Sequence, residues 1–438
     1  MEIAVMAGQL ILGLSILVGL HELGHLLAAK MFGMRVEQYF IGFPPKIWSI
    51  RRGETEYGLG AIPLGGFVKI SGMIDESLDT RQMQSEPKPW EFRSKPAWQR
   101  LIVMLGGIII NIITGIIIFI ALTYKNGETY LSAQDARYGI VAYDLAQQIG
   151  LKTGDKIVKI NGKEFRDFND IRSSEVFLGT NSSYTVERNG QLIDIEIPND
   201  FIDKLSDKKS AGQFIEPIQP FRVGELAPGM PAEKSGLQKG DIITAVNGRP
   251  TPFYHEFQAA IRANTNKPVT LTVRRGNQPV TIRTSVTDKG QIGIGVESLL
   301  RQTHVEYTFG EAVAKGTERA FGVVYDNIKG FGKIFRGDVS ASKALSGPIG
   351  IAQNLFGGVW LWDRFWFVTG LLSMALAFMN ALPIPALDGG HSTLLLYEIV
   401  SGRKPSDRFL EAAQRVGMVI LLGLMAFAIF NDVFKAVF

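Results

Sequence analysis

Residues 3–25 read Ile3-Ala-Val-Met-Ala-Gly-Gln-Leu-Ile-Leu-Gly-Leu-Ser-Ile-Leu-Val-Gly-Leu-His21-Glu22-Leu-Gly-His25. The part up to Leu20 carries no charge, and together with residues 26–31 it is long enough to cross a bilayer as a helix at about 1.5 Å rise per residue. Glu2 precedes it and no Lys or Arg does. A cleaved signal peptide wants a positive start, so the run reads as a retained first span over 1–31. It closes on three ionisable side chains. His21 and His25 stand one helical turn apart on the same face, which puts two imidazoles within reach of one tetrahedral zinc. Glu22, next to the first imidazole, can take a proton from an attacking water. Ionisable groups in a spanning helix are costly and default to a functional reading. The plainer alternative is a helix end at the interface.

Working outward, three further apolar runs lie around 101–124, 365–382 and 416–430, and predict spans over 98–124, 363–390 and 410–438. The chain of 438 residues is only 46% hydrophobic, because residues 125–364 read as an ordinary soluble stretch. Lys and Arg decide the sides. They recur from Lys30 to Arg100 and again at Arg403, Lys404 and Arg408, so loops 32–97 and 391–409 are expected in the cytoplasm. Both termini and the segment 125–364 then fall outside. In a bacterial inner membrane the outside is the periplasm. A formal charge of +4 points away from nucleic acid as a partner. With no Cys, any metal must be held by His and carboxylates.

The outer segment contains a duplication. Gly150-Leu-Lys-Thr-Gly-Asp-Lys-Ile-Val-Lys-Ile-Asn-Gly162 returns as Gly236-Leu-Gln-Lys-Gly-Asp-Ile-Ile-Thr-Ala-Val-Asn-Gly248, 86 residues later. Each copy reads as a helix end, a Gly-Asp turn, a short strand and an Asn-Gly turn. The pattern resembles PDZ domains, here expected over 125–210 and 211–300, which bind peptides by strand addition. A spacer or steric cap is the alternative. Gly224, Glu225 and Leu226 of the second copy suit a peptide-binding groove better than the matching stretch of the first. Residues 301–362 predict an amphipathic connector lying on the outer modules or the membrane surface.

Two histidines leave a zinc hydrolase one protein ligand short. Span three ends Asn380-Ala-Leu-Pro383-Ile-Pro385-Ala-Leu-Asp388-Gly-Gly-His391. Pro383 and Pro385 must break the helix, and broken backbone at membrane depth is tolerated where it lines a cavity. Asp388, within that break, is the expected third ligand, with His391 as its rival. The depths agree: His21 lies about 26 Å along the helix from Ala4, near the cytoplasmic edge, and Asp388 arrives there from the opposite side.

A His-Glu-x-x-His first span, a duplicated PDZ between spans two and three, and Asn-x-x-Pro-x-Pro-x-Leu-Asp-Gly-Gly in span three together resemble the site-2 protease family of intramembrane zinc metalloproteases, over essentially the whole chain. The resemblance implies a four-span α-helical membrane protein carrying one zinc. It implies zinc on His21, His25 and Asp388, Glu22 as acid and base, and Asn380 holding substrate. It also implies a β-hairpin over 58–69, including Gly65, Gly66 and Phe67, that dips towards the site from the cytoplasmic side. The chain departs from the family pattern at Gly42-Phe-Pro-Pro45, where Gly-Phe-Gly-Pro is frequent, and at Gly107-Ile-Ile-Ile-Asn111, where Gly-Pro-x-x-Asn is frequent.

The activity so implied is zinc-dependent hydrolysis of peptide bonds in the transmembrane segments of single-pass proteins. An anti-sigma factor already trimmed by an upstream protease is the expected substrate, with remnant signal peptides as a second class. Outer modules that gate against untrimmed substrates follow from the same resemblance. A non-catalytic membrane PDZ scaffold recruiting periplasmic partners is the alternative. It predicts little bound zinc.

Overall fold

The computed structural model describes residues 2–73, 86–205, 214–344 and 346–437. The chain forms two compact units, one of Met1–Gly127, Glu306–Arg336 and Ser340–Phe438, the other of Glu128–Val305 and Gly337–Val339. Parts of two expectations fall outside the described residues: 74–85 of the first loop, and the 210/211 boundary between the modules.

Among the described residues, the first unit holds four helices long and apolar enough to span a membrane: Glu2–Met31, Ala97–Asn126, Trp362–Ala381 and Asp407–Val437. Small residues set how closely they pack, because without a hydrophobic drive in lipid, contact depends on backbone approach. A Cβ on Gly24 of span one would stand 2.2 Å from the carbonyl oxygen of Gly106 on span two. Gly13 faces Phe356, Phe365 and Thr369, fastening span one to span three. Span four closes on the broken end of span three at Gly417, where a Cβ would overlap the Pro385 carbonyl at 1.7 Å. Farther along span four, buried Asp432 accepts the backbone N–H groups of Gly347 and Gly350 at 2.9 and 2.8 Å.

The amphipathic connector is a helix, Phe309–Arg336. It packs along spans two and three within the first unit. Gly316 abuts the backbone of Ile120, Arg319 donates to Thr123 Oγ1 at 3.0 Å, and Ala320 joins Phe119 and Met374 in a buried cluster. Small side chains on one face allow this approach, and no sequence pattern distinguishes that face from one resting on a soluble module.

After span one the chain forms β1 (Val36–Arg52) and β2 (Thr55–Ile70). The expected hairpin over 58–69 is corrected here. Residues 56–59 and 66–70 do not pair with each other; both pair with 38–41, from opposite sides, and 48–52 pairs with 55–59. Each long strand doubles back, at 42–45 and 60–64, giving a four-layer order in which 66–70 is an edge. The crossing needs glycine: Gly42 has φ +90°, and a Cβ there would lie 2.7 Å from the Gly60 carbonyl. The sheet docks on span one through Tyr39, which donates to the Gly19 carbonyl at 2.7 Å.

Loop 391–409 also needs correction. Span three stops at Ala381, and Asp388 starts a new helix, Asp388–Ser401, that fills most of the expected loop. The two prolines end one helix and Asp-Gly-Gly begins another, because Gly389 and Gly390 lie against the Leu382 and Ile384 carbonyls with no room for a Cβ.

The second unit repeats one topology. Ile140–Ala142 pairs with Ile215–Pro217 as Phe221–Leu226 pairs with Ile294–Ser298. Strands Lys156–Ile160, Ser183–Arg188 and Gln191–Glu196 correspond to Ile242–Val246, Pro268–Arg275 and Gln278–Ser285. The first copy therefore runs past the expected boundary to Pro217, since that strand completes its own sheet. Each copy has its own buried core. The repeated Asp explains itself. Asp155 and Asp241 are 1% exposed, each takes two bonds from an arginine (Arg188 or Arg275) at 2.7–2.8 Å, and each accepts the N–H of Lys152 or Gln238. The Asn-Gly turns have φ of 50° and 74° in one copy and 50° and 77° in the other, as a tight type I′ hairpin requires.

Candidate active site

Span one delivers His21, Glu22 and His25 to the wall of a cavity of about 520 Å³. The new helix delivers Asp388 from the opposite wall, preceded by Ala386 at φ +80°, a strained conformation for a residue with a Cβ. The Asp388 carboxylate reaches both imidazoles, Oδ2 lying 3.2 Å from His21 Nε2 and 3.3 Å from His25 Nε2, while the two Nε2 atoms are 3.3 Å apart. Asp388 Oδ2 has no hydrogen-bond partner despite its burial. His25 Nδ1 lies 2.8 Å from the Val103 carbonyl, which can only accept, so its proton sits there and Nε2 presents a lone pair to the cluster. Two ring nitrogens and a carboxylate oxygen converging on one point suit a divalent cation of the zinc type.

Edge residues 66–70 form another wall of the same cavity, with Phe43 and Pro44 beside them. Gly66 is squeezed between the Phe40 carbonyl and Val18 and lies near the Glu22 side chain, so no larger residue fits. The backbone N–H of Val68 bonds to the Glu22 carboxylate. Gln414 and Met418 of span four close the cavity, and His391 also lines it.

Of the residues expected from the sequence, His21, Glu22, His25, Asp388, Gly66 and Phe67 line this one cavity. Asn380 stands at the cluster, with Nδ2 3.5 Å from His21 Nε2. Gly65 packs on the Phe43 ring and does not face the cavity. In the second copy of the duplicated module, Glu225 and Leu226 line a groove of about 660 Å³ against the helix Tyr254–Arg262, whereas Gly224 packs on Gly295 instead. The first copy has short 3₁₀ and α turns, Phe168–Arg172 and Ser174–Phe177, in place of that nine-residue helix.

Sequence reasoning missed the support from span two. Gly107 touches both imidazoles, and Val103 and Asn111, one turn to either side, address His25 and His21. A lone Asn and a Gly pair in an otherwise apolar run were the available signal.

With this geometry in view, residues 9–424 match the profile of peptidase family M50. The chain belongs to that family. Among similar proteins are a putative zinc metalloprotease of Neisseria meningitidis, 28% identical over 97% of this chain and 97% of the relative, and the regulator of sigma-E protease of Salmonella typhimurium, 29% identical over 96% and 97%. A putative zinc metalloprotease of Pasteurella multocida is 30% identical over 96% of this chain and 97% of its own. As an M50 peptidase the chain is a metalloprotease of the site-2 type, embedded in a membrane.

Proposed function

We propose that this M50 peptidase binds one zinc ion on His21, His25 and Asp388 and cleaves peptide bonds within the transmembrane segments of single-pass membrane proteins. The observation that carries the reading is the convergence of His21 Nε2, His25 Nε2 and an unpartnered carboxylate oxygen at one point beside Glu22. Zinc there supplies Lewis acidity towards the scissile carbonyl and the attacking water. Glu22 removes the water's proton and delivers it to the leaving amine.

A substrate helix hides its amides in internal hydrogen bonds and must be opened before attack. Edge 66–70 offers outward N–H and C=O groups to an extended segment, with Gly66 and Phe67 at the cavity and Asn380 near the reacting centre. The broken backbone at 382–387 and the sheet together allow a polar cavity at membrane depth.

The outer copies act as PDZ modules in the periplasm, with the second providing the groove for a peptide end at Glu225 and Leu226. The site then faces the cytoplasmic side of a bacterial inner membrane, as the Lys and Arg distribution directs. By analogy with relatives named as regulators of sigma-E, the substrate is a membrane-anchored anti-sigma factor already shortened by an upstream protease, and remnant signal peptides are a further class.

The test is cleavage of a single-pass reporter by the purified chain in detergent or liposomes. Glu22→Gln should reduce turnover about 10²–10⁴-fold while leaving zinc content unchanged. Unaltered cleavage in that variant would refute the reading.

A further inference from the structure

Asn111 is fully buried on span two, one turn beyond Gly107, and its side-chain Nδ2 lies 3.2 Å from His21 Nδ1. Its own carbonyl is held by Ser373 Oγ of span three at 2.7 Å, so its backbone is fixed from both helices. A neutral imidazole carries one proton, and the two histidines are settled by different neighbours. On His25 the Val103 carbonyl fixes the proton at Nδ1. On His21 the neighbour is an amide whose two ends are equal in size and opposite in chemistry.

If the NH₂ end meets Nδ1, then Nδ1 must accept and the proton moves to Nε2. That proton would point between His25 Nε2 and Asp388 Oδ2, 3.3 and 3.2 Å away, and His21 would offer no lone pair. If the carbonyl end meets Nδ1–H, Nε2 is free towards the cluster. Neither orientation partners both ends of the amide, since the far end has no hydrogen-bond partner in the protein. The imidazole therefore decides between them.

We propose that Asn111 is a positioning residue whose side-chain carbonyl accepts from His21 Nδ1–H and holds that ring in the tautomer that opens Nε2 to a divalent cation. This rests on the zinc reading above. It assigns span two a part in metal affinity, through a residue that touches neither substrate nor metal.

The experiment is Zn²⁺ affinity of the full chain in detergent, measured against a chromophoric chelator, for wild type, Asn111→Leu and Asn111→Asp, with thermal unfolding of each metal-free form beside it. Leu has the volume but accepts nothing, and should weaken Zn²⁺ binding 10–100-fold without altering metal-free unfolding. Asp still accepts from Nδ1–H but cannot donate, and should bind within about threefold of wild type or more tightly. Wild-type affinity in the Leu variant, or equal weakness in the Asp variant, overturns the proposal. If Leu unfolds the protein, the Asp variant decides alone, because a donor role for Asn111 predicts loss there. Failure of wild type itself to bind Zn²⁺ would remove the zinc reading. Zinc binding in wild type with indifferent variants would remove only the role of Asn111.

Discussion

A Cβ on Gly107 would stand 2.5 Å from Cε1 of His21. The same atom would lie 2.5 Å from His25 Nε2, so span two supports the histidine pair with bare backbone. Gly107→Ala should therefore swing one or both rings off the converging geometry. Zinc content well below wild type, with cleavage reduced at least tenfold, is the expected outcome by elemental analysis and reporter cleavage. An alanine variant with full zinc would mean that the rings have slack the packing does not show.

Edge 66–70 gives a second prediction. The Val68 N–H lies against Glu22 at the cavity wall, so proline at 68 removes a donor beside the reacting centre. Val68→Pro should lower cleavage of a transmembrane reporter while zinc content stays near wild type, with some loss of thermal stability because the Val68 side chain is buried. Unchanged cleavage would dismiss strand addition at this edge.

In the second unit, Asp241 should matter for stability and not for chemistry. Burial pushes its carboxyl up, but the two bonds from Arg275 and the Gln238 N–H together hold it below the usual carboxylate range. A carboxyl lowered by folding stabilises the module fully above its unfolded value of about 3.9, and that contribution is lost as pH falls through the lower folded value. Asp241→Asn should cost about 2 kcal/mol, less than the roughly 3–5 kcal/mol of a wholly buried pair, because the Arg275 side chain is 34% exposed. Proteolytic susceptibility of the second unit against pH measures both. A variant with the pH profile of wild type would contradict the assignment.

Span four supplies the fourth. Gly417 meets the Pro385 carbonyl with no space for a methyl, and its neighbours Gln414 and Met418 form the cavity wall. Gly417→Ala should lower thermal stability by about 1–3 kcal/mol, the range for overpacking. Retained stability would show that span four rests more loosely on the break than the contact implies.

The parts legible in the sequence are those written in short, local patterns. His21, Glu22 and His25 share a helix face by spacing alone, and Pro383, Pro385 and the Asp-Gly-Gly that follows mark a break wherever they occur. The duplication was visible because its turns are built from Gly, Asp and Asn at fixed steps. What was hidden depends on partners distant in the chain. Arg188 and Arg275 complete the repeated Asp from outside the recognisable motif. Strand 38–41 inserts between 56–59 and 66–70, a register chosen by the Gly42–Gly60 crossing and by docking on span one, neither of which alternation can reveal. Asn111 stands out in the sequence only as the end of a stretch that departs from the family pattern; the fold brings it to His21.

The central claim is that His21, His25 and Asp388 hold one catalytic zinc, and the most direct measurement is zinc per chain in protein purified without chelator, for wild type and His21→Ala side by side. The account predicts about one zinc in wild type and almost none in the variant. Zinc absent from both, or retained in His21→Ala, would contradict it.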